Sequence, residues 1–546
     1  MDIIRDSAIG SLLRLTDSGR RLLKFPEERD GFRLPQVFLD DSPIRQGNKN
    51  AESTYGSADS ELAAQGAQEL ESGAVGTQKP TVTWYSDHDP ENPHNWPVGK
   101  KIWVSVLLAA YSFAAYLGSS IYTPSTAGIE QHFSVSETVA SLGLSLFVFG
   151  YGVAPLVFSP LSEIPVIGRN PPYVITFSLF AVLTIPAVLI DNLPGILVIR
   201  FLLGVLCSPA LATVGASYGD YISPAYSGYM ITVWASCAAL APSLAPLIAG
   251  FAVENENWRW SFWELLWIAV PVAVVMALTL PETSADTLLL RRARRLRKLT
   301  GRTDLKSESE IRQQEMHVGR VAFNALAKPW QINALDPAVL FTTVYMALAY
   351  GTYYSFFESF PLVFGGIYGF DLGAIGLAFI CALTGMLIAS VVIVAYHYLV
   401  MSRRFEKSSA PPPPEEQLWL GLFASFLLPV GLFIFAWTAR ADIHWVVCMV
   451  GVAIAMCGII IITQAVLNYL PFTYPRYAGS LFAANTASRC LFAGAAVLFS
   501  PPLFRGLGVG GGVSLIAGLS VLCVFGLFGL YFYGADLRRR SKFAVT

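Results

Sequence analysis

Residues 337–360 read PAVLFTTVYMALAYGTYYSFFESF, and Glu358 is the one charged residue among them. As a helix rising 1.5 Å per residue the stretch is about 36 Å long, enough to cross a hydrocarbon core of about 30 Å. Stretches of the same kind flank it on both sides. Six lie near 102–123, 138–158, 173–190, 195–217, 228–252 and 261–280. Five follow near 373–398, 418–438, 443–465, 480–500 and 513–533. Every one has helical length, which excludes a β-barrel with strands of about ten residues. The composition agrees: 54% of the 546 residues are hydrophobic and 14% are charged, against roughly 25% in soluble chains. The sequence predicts an all-α polytopic membrane protein with twelve transmembrane helices in two six-helix halves.

The division follows the polar stretches. Residues 1–100 read as a largely disordered cytoplasmic tail, because 46–80 in particular lack the apolar density to fold alone. Within it, Ile9, Leu12, Leu13, Leu22 and Leu23 interleave with Arg14, Arg20 and Arg21 as in a short basic helix on a membrane surface. Residues 101–281 form the first half, 282–336 a middle loop, 337–534 the second half and 535–546 a C-terminal tail. Residues 1–30 carry charges throughout, so no secretory leader is expected and the first span directs insertion. The seven scattered cysteines make neither a disulfide framework nor a zinc site and read as packing residues. A net charge of −1 gives no reason to expect nucleic acid.

Orientation comes from Lys and Arg in the short loops. Lys100, Lys101, Arg169, the run Arg291–Lys298, Arg403, Arg404, Lys407, Arg476 and Arg538–Arg540 fall on one side; Arg259, Arg440 and Arg505 fall on the other. Both termini and the middle loop are therefore expected in the cytoplasm. Leu289, Ala293, Leu296 and Thr300 recur at helical spacing within the basic run. That pattern suits a helix lying on the anionic inner leaflet, or a cytoplasmic anchor alone. Pro411–Pro414 form a stiff linker between spans 8 and 9.

Span 7 carries the densest chemistry. Tyr350, Tyr354 and Glu358 step by four with Tyr353 and Phe357 beside them, so all five share one helical face. Aromatic rings around a single carboxylate suit flat or cationic organic molecules; packing of the tyrosines within the bundle, with Glu358 paired internally, fits the same pattern. Arg200 lies inside span 4, where a guanidinium needs a cavity, an acidic partner or a route to the interface. It is too basic to carry a proton itself and would act by holding water or a carboxylate.

Three motifs resemble those of the major facilitator superfamily. Glu163 followed by Gly168-Arg169 resembles the gate motif between its spans 2 and 3, with two extra residues before the glycine. Arg200-x-x-x-Gly204 is similar to the span 4 element of proton-coupled members. Pro242, Pro246 and Gly250 resemble the antiporter motif of span 5, with Ala241, Ala245 and Ala249 where the pattern has glycine. Beyond these, Trp84-Tyr85 with Asp89-Pro90-Glu91-Asn92-Pro93, Pro281-Glu282-Thr283, Phe357-Glu358, Tyr474-Pro475-Arg476 and Asn485 with Arg489 resemble the fungal twelve-span drug:proton antiporters, in their benomyl, caffeine and azole resistance branch.

The resemblance implies alternating access between two halves, with Arg200 and Glu358 in proton coupling. It also places Asn485 and Arg489 with the span 7 aromatics in a substrate cavity. It implies export of small organic compounds in exchange for protons by a monomeric plasma-membrane protein in the lipid bilayer, without cofactor or metal. A proton-coupled importer of a vitamin or polyamine is the alternative. A membrane-embedded enzyme is disfavoured because no span holds a nucleophile set, paired His ligands or an Asp-rich cluster, and no Walker loop occurs. Gly506-Leu-Gly508-Val-Gly-Gly511 fits a dinucleotide pattern, but no strand precedes it. Asp87, His88, Asp89 and His94 lie in a solvated segment and are not read as metal ligands.

Overall fold

The computed structural model describes residues 2–14, 16–29, 81–315, 327, 329–401, 413–474 and 478–541. Helices dominate it. Spans 1–6 are Val98–Phe133, Glu137–Glu163, Asn170–Leu189, Leu193–Tyr221, Tyr229–Asn255 and Trp260–Thr279. Span 7 is Pro337–Gly365, and spans 8, 9 and 10 are Leu372–Met401, Pro414–Thr438 and Trp445–Thr473.

The last helical run, Ala478–Arg540, has 63 residues and would be about 95 Å long if straight. It is not straight. Gly508 adopts φ 70° and ψ 161°, a conformation that only glycine takes readily. Tyr474, just before the run, and Ser541, just after it, both donate to Asp336 Oδ2, at 2.7 and 2.5 Å. Both ends therefore lie together, and the run folds back at Gly508 into spans 11 and 12. Twelve spans result. The glycine pattern rejected as a nucleotide loop is this turn.

Local sequence sets the helix starts. Proline occupies the first helical position at Pro224 and Pro337, where no N–H is needed. Asn192, Asp336 and Asp371 cap their helices with side-chain acceptors. Large apolar residues such as Leu179, Val391 and Phe525 are exposed on the outer faces. That distribution fits hydrocarbon as the surrounding solvent.

The halves meet along two seams. In one, Ser145 Oγ of span 2 donates to the Gly494 carbonyl of span 11 at 2.7 Å. In the other, Ser236 of span 5 and Ser390 of span 8 are 2.8 Å apart.

The stretch 1–100, expected as a largely disordered tail, is folded at both described ends; residues 46–80 lie outside the described residues. Ala8–Leu13 and Asp17–Leu22 are short helices, and Lys100 pairs with Asp6 at 3.2 Å. Residues 81–96 bind the middle-loop helix Ala285–Thr300. Val82 pairs with Ser307 as a short parallel strand contact and packs with Ala293, Leu296 and Leu305. Arg292 is almost fully buried: its guanidinium bonds Asp89 at 2.6 and 3.0 Å and Glu91 at 2.7 Å, with the Tyr85 ring 4.0 Å away. Arg295 bonds Glu91 at 2.9 Å and Glu27 at 3.3 Å.

The basic helix, expected on the inner leaflet or as a cytoplasmic anchor alone, thus turns much of its basic face onto the chain's own acidic segment. The sequence offered little warning, since Asp89 and Arg292 are 203 positions apart. Burial alone would raise the Asp89 carboxyl, but the Arg292 guanidinium and the Tyr85 and Glu91 N–H groups hold it below its ordinary value. Arg403, Arg404, Lys407, Pro411, Pro412 and Arg476 lie outside the described residues.

Candidate functional site

The aromatic face of span 7 lies at the junction of the halves. Tyr353, Tyr354 and Phe357 are buried and Tyr350 is half-buried. Their rings form a continuous set, with centroids 5.1 Å apart for Tyr350 and Tyr354 and 5.5 Å apart for Tyr353 and Phe357. Hydroxyls from the first half close on it. Tyr151 of span 2 stands 2.8 Å from both the Tyr350 and Tyr354 hydroxyls. Ser119 of span 1 reaches Tyr354 at 3.1 Å, and Ser243 of span 5 reaches Tyr353 at 2.8 Å. From span 11, the Arg489 guanidinium lies 5.0 Å over the Tyr350 ring, and Asn485 is buried on the same helix. Of the six residues expected to line a cavity, Tyr350, Tyr353, Tyr354, Phe357 and Arg489 are brought together, and Asn485 lies one turn from Arg489 on span 11.

Glu358 ends this face and is 6% exposed. Ser141 of span 2 donates to its Oε2 at 3.1 Å, while Oε1 has no hydrogen-bond partner among the described residues. Arg200 lies elsewhere in the first half, completely buried. It donates through Nε to Gly143, through Nη1 to Gly118 and through Nη2 to Ser119, at 2.9, 2.8 and 2.8 Å. Tyr122 and Phe147 cover the guanidinium at 4.9 and 4.5 Å. Neither the expected carboxylate nor the interface meets it, because three backbone carbonyls already satisfy the charge locally. Arg200 and Glu358 are connected indirectly, through span 2, where Ser141 and Gly143 belong to one helical turn, and through Ser119 of span 1, which bonds Tyr354 one turn before Glu358.

The gate motif forms with a different acid. Arg169 grips Asp220, at the end of span 4, by Nε at 2.5 Å and Nη2 at 3.2 Å, and Thr283 also donates to Asp220 at 3.0 Å. Glu163 is exposed and makes no hydrogen bond or ion pair among the described residues. The hydrogen-bonded acid of Arg169 is therefore Asp220 rather than the expected Glu163, which stays within reach of the arginine's charge without bonding it. Gly168, at φ 80°, lets the turn close: a Cβ there would stand 2.4 Å from Glu282 Oε2. Glu282 in turn accepts from the Arg169 and Asn170 N–H groups at 3.0 and 3.3 Å and pairs with Arg291 at 3.5 Å. This links the gate to the middle-loop helix.

Span 5 runs as one helix through Pro242 and Pro246. Proline removes its own N–H from the helix ladder; the Pro242 carbonyl accepts from Ser120 of span 1 at 2.7 Å. Ala241, Ala245 and Ala249 are fully buried. A Cβ on Gly250 would stand 2.8 Å from the Leu372 carbonyl, and one on Gly376 of span 8 would stand 2.4 Å from the Pro246 carbonyl. The motif is therefore the surface on which span 5 meets span 8. Beyond it, at the end of the bundle away from the termini, Glu254 accepts from the Gly373 N–H at 2.7 Å, and Arg505 pairs with Glu137. Among the described residues, no ion pair joins the six-helix halves at the opposite end.

Sequence reading missed Ser119, Ser141, Tyr151, Ser243 and Asp220. Small hydroxyls and a terminal acid are ordinary in spans, and only the fold shows what they face. Asp220 left one signal, as an acid closing an apolar span.

Comparison with known proteins adds identity to geometry. A family model described as Major Facilitator Superfamily matches residues 108–498. The MFS-type transporter pyvG of Aspergillus violaceofuscus is 42% identical over 99% of both chains. The cycloheximide resistance protein of Candida maltosa is 35% identical, again over 99% of both. Among solved structures, the proton:xylose symporter XylE aligns with a TM-score of 0.57 at 11% identity, covering 80% of this chain and 97% of that one.

Proposed function

The chain belongs to the Major Facilitator Superfamily, among its fungal drug-resistance transporters, and from that premise we propose that it exports small, flat organic molecules in exchange for protons. It is a multi-pass membrane transporter rather than an enzyme. In our reading it acts as a monomer in the plasma membrane, with both termini cytoplasmic. Residues 101–281 and 337–534 rock as two bodies within the lipid. The relatives' names and the proline seam of span 5 favour export over the uptake of a nutrient.

The observation that carries the proposal is Glu358, whose single hydrogen-bond partner among the described residues is a hydroxyl of the opposite half. Enclosing a charged carboxylate so poorly compensated carries a large desolvation penalty. In the proposed cycle a proton from outside neutralises Glu358 and lets the halves close. Release of that proton inward restores the charge and favours reopening to water, where cargo enters. Tyr151, Tyr350 and Tyr354 exchange hydroxyl partners for cargo contacts in the same movement. Arg169–Asp220 holds the gate end of the first half.

The test is drug efflux against an imposed pH gradient, in vesicles carrying equal amounts of wild type and Glu358→Gln. The variant should lose gradient-driven efflux while reaching the membrane normally. Undiminished gradient dependence in Glu358→Gln would sink the proton role, and accumulation of drug by wild type would favour import.

A further inference from the structure

Two guanidinium groups in the bundle lack a carboxylate partner among the described residues, Arg200 and Arg489, and they are satisfied very differently. All three kinds of Arg200 nitrogen donate to backbone carbonyls. The Arg489 guanidinium stands beside the Cys490 sulfur, and its Nε is buried without a hydrogen-bond partner among the described residues. Asn485, one turn earlier on the same face of span 11, is 2% exposed with Nδ2 also unpartnered. Two unpartnered buried nitrogens, Arg489 Nε and Asn485 Nδ2, therefore lie one turn apart on span 11, with the guanidinium over the Tyr350 ring. The nearby phenol oxygens are engaged with one another: Tyr151 bonds both Tyr350 and Tyr354. Glu358, the carboxylate of this face, lies eight residues from Tyr350 on span 7, about 12 Å along its axis, and bonds Ser141.

A buried cation left uncompensated is strongly destabilising. The planar fork of arginine is matched best by a carboxylate, which accepts two parallel hydrogen bonds. The geometry points to an anionic cargo: an aromatic carboxylate whose two oxygens dock between Arg489 and Asn485 while its flat ring lies against Tyr350. A neutral carbonyl would occupy a donor but leave the charge standing. The inference rests on the export reading for what becomes of the bound molecule. It reverses the cationic preference that a lone Glu358 suggests, since that carboxylate stands apart from the donor pair.

The test uses the purified full-length chain with two fluorescent probes, coumarin-3-carboxylate and coumarin-3-carboxamide, which share a ring and differ in charge. Wild type should bind the carboxylate at least about tenfold more tightly, the equivalent of about 1.4 kcal/mol. Arg489→Gln should abolish that preference, and Arg489→Lys should keep part of it. Asn485→Leu should reduce it by a smaller factor. Equal affinity of wild type for the two probes would overturn the inference, as would a preference surviving Arg489→Gln. If Arg489→Gln fails to fold, wild-type preference and Asn485→Leu decide the matter. Parity of binding with pH-driven efflux of the carboxamide would overturn this site and leave the export reading intact. Tight carboxylate binding without gradient-driven movement of either probe would do the reverse.

Discussion

Arg200 and Glu358 are the pair that sequence reading joined and that make no direct contact in the fold. With three carbonyls from spans 1 and 2 on its guanidinium, Arg200 works as a staple of the first half. Hydrogen bonds to charged groups contribute about 1.5–3 kcal/mol each, and lysine lacks the planar fork that reaches all three carbonyls. Arg200→Lys should therefore lower the melting temperature of the purified protein by several degrees, whereas Glu358→Gln should leave it nearly unchanged. Loss of gradient coupling in Arg200→Lys at an unaltered melting temperature would return Arg200 to the proton path. The span 7 face was legible because helical periodicity alone sets which of its side chains are neighbours. The acid for Arg169 was not, because Asp220 comes from another span and no local period connects them.

At the scale of elements, the middle-loop helix was legible as basic and amphipathic but its partner was not. Its buried stripe faces Val82 and Leu305, and its arginines meet Glu27, Asp89 and Glu91, from segments whose composition is that of a tail. Charge pairing across such separations leaves no trace in any window of sequence. Because the folded Asp89 carboxyl lies below its ordinary value, its contribution to docking is present in full above the unfolded-chain value of about 3.9. That contribution is lost as pH falls through the lower, folded value. Acidification through that window should expose residues 81–96 to limited proteolysis in inside-out vesicles. Arg292→Ala should expose them already at neutral pH. Protection unchanged in Arg292→Ala would show that the strand contact of Val82 with Ser307 holds the segment by itself.

For the whole molecule, the twelve spans and their division into halves followed from hydropathy and length, which the bilayer imposes directly on sequence. The conformational state did not, since it depends on which contacts between halves are made at each end. Here the end away from the termini is tied by Arg505–Glu137 and by Glu254 on the Gly373 N–H. Exposed ion pairs contribute about 0–1 kcal/mol, enough to shift a two-state population by up to about fivefold. Arg505→Gln should accordingly raise the labelling rate of buried Cys490, which faces Gly152 across the seam, by a membrane-impermeant maleimide added outside. A labelling rate equal to wild type would mean that the contact of spans 5 and 8, with Glu254 on the Gly373 N–H, keeps this end shut without Arg505.

The contact between Asp89 and Arg292 also sets an order of events during synthesis. The two residues are 203 positions apart, and at about 5–20 residues per second a ribosome needs about 10–40 seconds to travel between them. Throughout that interval Asp89 and Glu91 have emerged while their partner is still unmade, and six spans are threaded into the bilayer. Formation of the ion cluster therefore requires that the first half has been translated in full.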